Sequence, residues 1–166
     1  MPKSKRILVA LDGSATSRRT VAYVADIVGG RAGFHVGLVH LELPPRMLEW
    51  GGAEDPKKEE RISSERAEVY QEMENAAVEK GQALLQQLQG ILAERGTDVT
   101  ARQVQFEEPL DPKTITTHLL KIAAEQEYGT VVVGWHSFSG LRRFFRHHVG
   151  EELVRMGQGV TVWVVE

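Results

Sequence analysis

The chain has 166 residues, with 20 Lys plus Arg against 23 Asp plus Glu and a formal net charge of −3. A hydrophobic share of 42% with 26% charged residues is that of an ordinary globular protein, which excludes a disordered chain, a collagen-like repeat and a small disulfide scaffold. Without cysteine there is no thiol nucleophile, cysteine zinc site or iron–sulfur cluster, and the slight acidity gives no global attraction to nucleic acid or anionic lipid.

The opening Met1-Pro2-Lys3-Ser4-Lys5-Arg6 is basic, but the apolar run behind it stops at Asp12. A secretory apolar region needs roughly 7–15 residues and a membrane span about 20. The expectation is a ragged N-terminus entering a strand, and a cytoplasmic protein with no membrane partner. Arg6-Ile7-Leu8-Val9-Ala10-Leu11 reads as a strand buried on both faces, ended by Asp12-Gly13-Ser14. Val21, Val24, Ala25 and Val28 then recur at one face of a helix, with Ser14 as its cap and Gly29-Gly30 as its end. Residues 34–41 form a second apolar run, so strand, helix and strand make a right-handed crossover.

Pro44-Pro45, Gly51-Gly52 and Asp55-Pro56 break the next stretch into a loop of roughly fifteen residues, expected to be mobile and cut first by protease. Residues 57–95 predict a long helix, polar at first, with a stripe through Val69, Met73, Ala77, Leu84, Leu88 and Ile91. Gly81 falls on that stripe. It either admits a close backbone contact or weakens the helix by about 1 kcal/mol relative to Ala. A coiled coil is set aside because the apolar repeat is not sustained in the charged half.

Val99, Ala101, Val104 and Phe106 alternate with polar residues, which suits a strand nearer a sheet edge. Asp111-Pro112 is a helix start, followed by a face of Ile115, Leu119, Ile122, Ala123 and Gln126. Thr130-Val131-Val132-Val133 is a strand closed by Gly134. A helix with Val149, Leu153 and Val154 ends at Gly157 and Gly159, and residues 160–165 are the last strand.

This alternation predicts one α/β domain over residues 1–166: an open, mostly parallel five-stranded sheet, order 3-2-1-4-5, with helices on both faces. Ligands of such sheets bind beyond the carboxyl ends of the strands at the switch point, here between the first and fourth strands. That nominates Asp12 and the loop after Gly134.

The opening Ile7-Leu8-Val9-Ala10-Leu11-Asp12-Gly13-Ser14 resembles the start of universal stress proteins. So do Leu38-Val39-His40-Leu41, and Val131-Val132-Val133-Gly134 followed by a basic loop, a helix and Val160-Thr161-Val162-Trp163-Val164-Val165. The resemblance covers nearly the whole chain in the right order. It implies a stress-response binding or regulatory role without catalysis. ATP-binding members resemble one another after strand four: a glycine, two residues, a second glycine, nine residues, then a third glycine with Ser or Thr. Backbone N–H groups there approach the phosphates, and the hydroxyl adds a hydrogen bond at a helix N-terminus.

Transferred by that resemblance, the binding positions are Asp12 for the nucleoside part, His40 and Leu41 for the adenine pocket, and Gly134, Ser137, His147 and His148 for the phosphate loop. Ser137 stands at the second glycine, and His147-His148 at the Gly-Ser/Thr pair. A second register through Gly140, Gly150 and Glu151 needs an insertion and places a carboxylate where a hydroxyl belongs. Either way the cradle is altered, so no tightly held cofactor is expected. ATP or another adenine nucleotide would bind weakly. The alternative is an adenine-nucleotide switch or weak ATP hydrolase using Asp12, Gly134 and the basic loop at residues 142–148.

Arg142, Arg143, Arg146, His147 and His148, with Phe144 and Phe145 between them, read either as a solvated amphipathic turn or as a side-chain clamp for a small phosphorylated ligand. Nucleic-acid contact fits poorly with so short a patch. His136, His147 and His148 lack metal-ligand spacing, and Ser137 and Ser139 lie outside any nucleophile elbow. His40 reads as a pocket or packing residue rather than a base. Trp50 and Trp135 fall in loops. Residues 160–165, at a sheet edge in the predicted order, would leave a row of backbone groups unpaired. Pairing with a second copy satisfies them, as in many universal stress proteins, so a homodimer is expected.

Overall fold

Arg6–Leu11, an arginine followed by five unbroken aliphatic residues, forms β1 at the centre of a parallel sheet. In this computed structural model the described residues are 2–42, 64–105, 111–135, 137–138 and 148–166. Most of the predicted loop at 42–56, Trp50, Phe106, His136, Ser139, Gly140, and the basic segment from Arg142 to His147 lie outside them.

After β1 come α1 (Ala15–Val28), β2 (His35–Glu42), α2 (Ser64–Glu94), β3 (Asp98–Gln105), α3 (Pro112–Glu125), β4 (Thr130–Gly134), α4 (Val149–Met156) and β5 (Thr161–Val165). The sheet order is β3-β2-β1-β4-β5, and every pairing is parallel. The open α/β sheet predicted from the alternation is the one observed.

Two cores flank the sheet. Ile7, Val9, Leu11, Val36 and Leu38 face α1 and α2, where Val21, Val24, Leu85, Leu88 and Leu92 meet them. Leu8, Ala10, Val39, Leu41, Val131 and Val133 face Ile115, Leu119, Val149 and Leu153 of α3 and α4. Burial on both faces explains why β1, β2 and β4 read as continuous apolar runs. At the edge, β3 alternates between exposed and half-buried positions as its sequence predicted.

The long helix departs from its predicted stripe. It has 31 residues, about 46 Å at the α-helical rise, whereas the eight residues of β2 span about 26 Å. Among its described residues Gly81, Leu85, Leu88 and Leu92 are buried, all in the C-terminal part, while Val69 and Met73 are exposed at 55% and 44%. Helix α1 starts after Ser14, but the Ser14 hydroxyl caps nothing. In contrast, Asp111 caps α3 as read, its Oδ1 accepting from Thr114 N–H at 2.6 Å.

Candidate functional site

The carboxyl ends of β1 and β2, with the adjoining stretch of α2, enclose a cleft of about 460 Å³. Asp12 sits at its base because β1 stops there and the chain turns into α1. Asp12 Oδ1 accepts from Ser14 N–H at 3.0 Å and from the Ser17 hydroxyl at 3.1 Å. Asp12 Oδ2 accepts from Phe138 N–H in the loop after β4. This one carboxylate therefore ties together the two loops at the switch point. Gly13 follows at φ +78°, and a Cβ there would stand 3.2 Å from His40 Nε2.

His40 is buried on the α1–α2 side of the sheet. Its ring lies between Gly13 and Gly81. A Cβ on Gly81 would come within 2.8 Å of His40 Cε1 and Nδ1, and 2.6 Å of Gln103 Nε2. Of the two readings of Gly81, the close backbone approach is the one realised. Burial holds the imidazole below its ordinary value of 6.5, against the raising influence of Glu42 and Asp12. Glu42 Oε2 stands 3.5 Å from His40 Nδ1 and accepts from Gln103 Nε2 at 3.2 Å. Among the described residues, His40 Nδ1 itself has no hydrogen-bond partner.

Leu41, the next residue, points to the opposite face and packs into the α3–α4 core. The two strand-two candidates thus part company through the two-residue alternation of a strand: His40 lines the cleft and Leu41 does not.

Gly134 ends β4 where nothing larger fits, since a Cβ would come within 2.3 Å of Thr16 Cγ2 and 2.7 Å of Ser137 Oγ. Ser137 N–H donates to Gly134 O at 3.0 Å, closing a tight turn, and the buried Ser137 hydroxyl has no partner among the described residues. Phe138 follows at φ +62° with its side chain buried. A bulky residue rarely adopts that region; here the Asp12 carboxylate and the core hold it. His148 is the N-cap residue of α4 and stacks on Trp135, ring centroids 5.2 Å apart. Its N–H donates to Glu151 Oε2 at 3.0 Å.

Of the candidates read from sequence, Asp12 and His40 share the cleft. Gly134, Ser137 and His148 do not line it; the Gly134–Ser137 turn is linked to it through Phe138 and Asp12, and His148 stacks on Trp135. His147 is outside the described residues. The sequence reading missed Glu42, Arg18 and Lys80, which also line the cleft. Glu42 could have been found, being two residues beyond His40 on the same strand face. Arg18 lies one turn past Ser14, but Lys80 comes from a helix far along the chain and carried no local signal. Among the described residues no cluster of three or more metal-ligating side chains occurs, and no helix is long and apolar enough to cross a membrane.

Among solved structures, the chain is similar to a universal stress protein from Burkholderia pseudomallei, with 22% identity and TM-score 0.62 over 98% of this chain and 96% of that one. A Lactobacillus plantarum universal stress protein gives 14% identity and TM-score 0.65 over 100% and 99%. The universal stress protein from Archaeoglobus fulgidus in complex with dAMP gives 18% identity and TM-score 0.54 over 100% and 98%. No match was found among curated proteins. The universal stress protein family matches residues 3–165. A match over nearly the whole chain shows that the chain belongs to the universal stress protein family.

Proposed function

We propose that this universal stress protein is a stress-response binding or regulatory protein that takes small ligands in the Asp12–His40 cleft and does not hold ATP tightly. The observation carrying this reading is the state of three backbone N–H groups. Those of Ser137 and His148 stand where the family resemblance puts phosphate contacts, and that of Phe138 adjoins Ser137. They donate instead to Gly134 O, Asp12 Oδ2 and Glu151 Oε2. A phosphate would have to displace all three. Glu151 and Glu152 in the first turn of α4 also set negative charge where an anion would dock. The ATP dissociation constant is expected to be weaker than about 0.1 mM, roughly −5.5 kcal/mol. Calorimetric titration tests this, and micromolar affinity refutes it.

A second reading, an adenine-nucleotide switch or weak ATP hydrolase using Asp12, Gly134 and the loop at residues 142–148, is favoured by two observations. The Archaeoglobus fulgidus relative is in complex with dAMP, and the cleft here carries the cations Arg18 and Lys80. Ligand-dependent release of phosphate would support it over simple binding.

The same proposal includes a homodimer through β5. That strand pairs with β4 on one side, and its order in the sheet makes it an edge. Trp163 is turned toward α1, meeting Tyr23 edge-on at 6.5 Å, so Val164, 36% exposed, is the apolar side chain offered outward. Light scattering at micromolar concentration reads the mass; that of a single chain refutes the dimer.

A further inference from the structure

At the end of the sheet opposite the cleft, three polar side chains meet across the β2–β3 edge. The register sets His35 beside Asp98, and Gly37 beside Thr100. His35 Nδ1 lies 2.8 Å from Asp98 Oδ2, and His35 Nε2 lies 3.3 Å from Thr100 Oγ1. The His35 ring is buried and stacks on Tyr128, with centroids 6.1 Å apart and planes 25° apart. Thr100 is exposed. The carboxylate fixes the tautomer: Nδ1–H donates to Asp98, which leaves Nε2 as the acceptor facing the hydroxyl. A hydroxyl within reach of a base that is itself oriented by a third group is the arrangement of an activated nucleophile.

We propose that Thr100 is a nucleophilic acyl-acceptor site, with His35 as its base and Asp98 as the positioning residue. The donor class is a small activated acyl ester or thioester. Its acyl group must be reactive in itself, because Thr100 stands on an open strand edge rather than in a closed pocket. In the step, Thr100 Oγ1 attacks the carbonyl carbon and its proton passes to His35 Nε2. The bond from carbon to the leaving oxygen or sulfur breaks, and the leaving group departs with that proton. Water then attacks the Thr100 ester with His35 again as base, releasing the carboxylic acid and restoring the hydroxyl. Arg102 is the next residue on the same face of β3.

A purely structural Asp98–His35 tie between two strands would give the same distances, so the test must read chemistry at Thr100. The full chain is incubated with p-nitrophenyl acetate, and acetylated peptides are mapped by mass spectrometry before and after hydroxylamine, which removes esters and leaves lysine amides. The expected result is a hydroxylamine-sensitive acetyl on Thr100. Thr100→Ser should keep it and Thr100→Val should abolish it. His35→Gln should slow labelling about a hundredfold, the low end of what a positioned general base contributes. Asp98→Asn, exposed and close in shape, should slow it about tenfold while urea unfolding shows the fold retained. No ester adduct on Thr100 in the parent chain, or an unchanged labelling rate at Thr100 in Asp98→Asn, overturns the proposal.

Discussion

Gly81 and Gly90 lie in the same helix, so replacing each by alanine makes the same change in helix propensity, a gain of about 1 kcal/mol. Their surroundings differ. A Cβ at Gly90 meets nothing within 4 Å, whereas one at Gly81 would stand 2.6 Å from Gln103 Nε2 and 2.8 Å from two atoms of the His40 ring. Gln103 can swing its amide away cheaply. His40 has little room to retreat, because the residue is buried and its ring is held between the Gly13 and Gly81 backbones. Overpacking of this kind costs about 1–3 kcal/mol. Gly90→Ala should therefore stabilise the chain by about 1 kcal/mol, while Gly81→Ala should be neutral or destabilising by up to about 2 kcal/mol. Urea unfolding of the two variants beside the parent reads both values. In a thermal melt each kcal/mol corresponds to roughly 2–4 °C. Equal stabilisation by both substitutions would refute the claim that α2 reaches the His40 ring through Gly81.

Three further outcomes follow from particular contacts. Burial holds His40 below 6.5 in the folded chain; the unfolded chain therefore binds the proton first, and stability should fall as pH drops below about 6.5, by at most about 1.4 kcal/mol per pH unit. His118 is held down by burial too, with Arg102 and Lys121 in support, so the check is a shallower fall between pH 7 and pH 5.5 in His40→Gln than in the parent. Asp111→Ala removes the acceptor of Thr114 N–H and should cost about 1 kcal/mol in urea unfolding. Val162→Pro should halve the mass seen by light scattering if β5 pairs with its copy, and a dimer that persists in a folded Val162→Pro variant would place the interface elsewhere.

The fold was legible because buried parallel strands write themselves as apolar runs and their helices as stripes. Val131-Val132-Val133 and the Asp111-Pro112 start are the plainest cases. The site was half legible. Asp12 and His40 could be named because strand ends at a switch point are where ligands bind, whatever the neighbours. The position of Leu41 shows the limit: one residue along a strand reverses the side chain, and two adjacent apolar-run residues do not say which faces the cleft. Val69 and Met73 kept the helical spacing yet stand in the open, because periodicity reports a face and not how far the sheet extends beneath it. The backbone donors of Ser137, Phe138 and His148 were out of reach for another reason. Their partners are set by loop geometry, and Phe138 adopts a backbone conformation that its side chain disfavours. Asp98 and His35 lie 63 positions apart, and only the strand register brings them together.

The placement of β1 also bears on how the chain is made. Its residues leave the ribosome well before those of β4, yet β1 pairs with β2 on one flank and with β4, beginning at Thr130, on the other. At roughly 5–20 residues per second of synthesis, the second flank waits on the order of 6–24 seconds for its partner. Throughout that interval a largely apolar strand carries an open row of backbone donors and acceptors. Nascent chains of this topology therefore invite chaperone contact or strand exchange with a neighbour on the same message. Shortening the interval, by synonymous codons that speed the stretch between β2 and β4, should raise the soluble yield without altering a single residue.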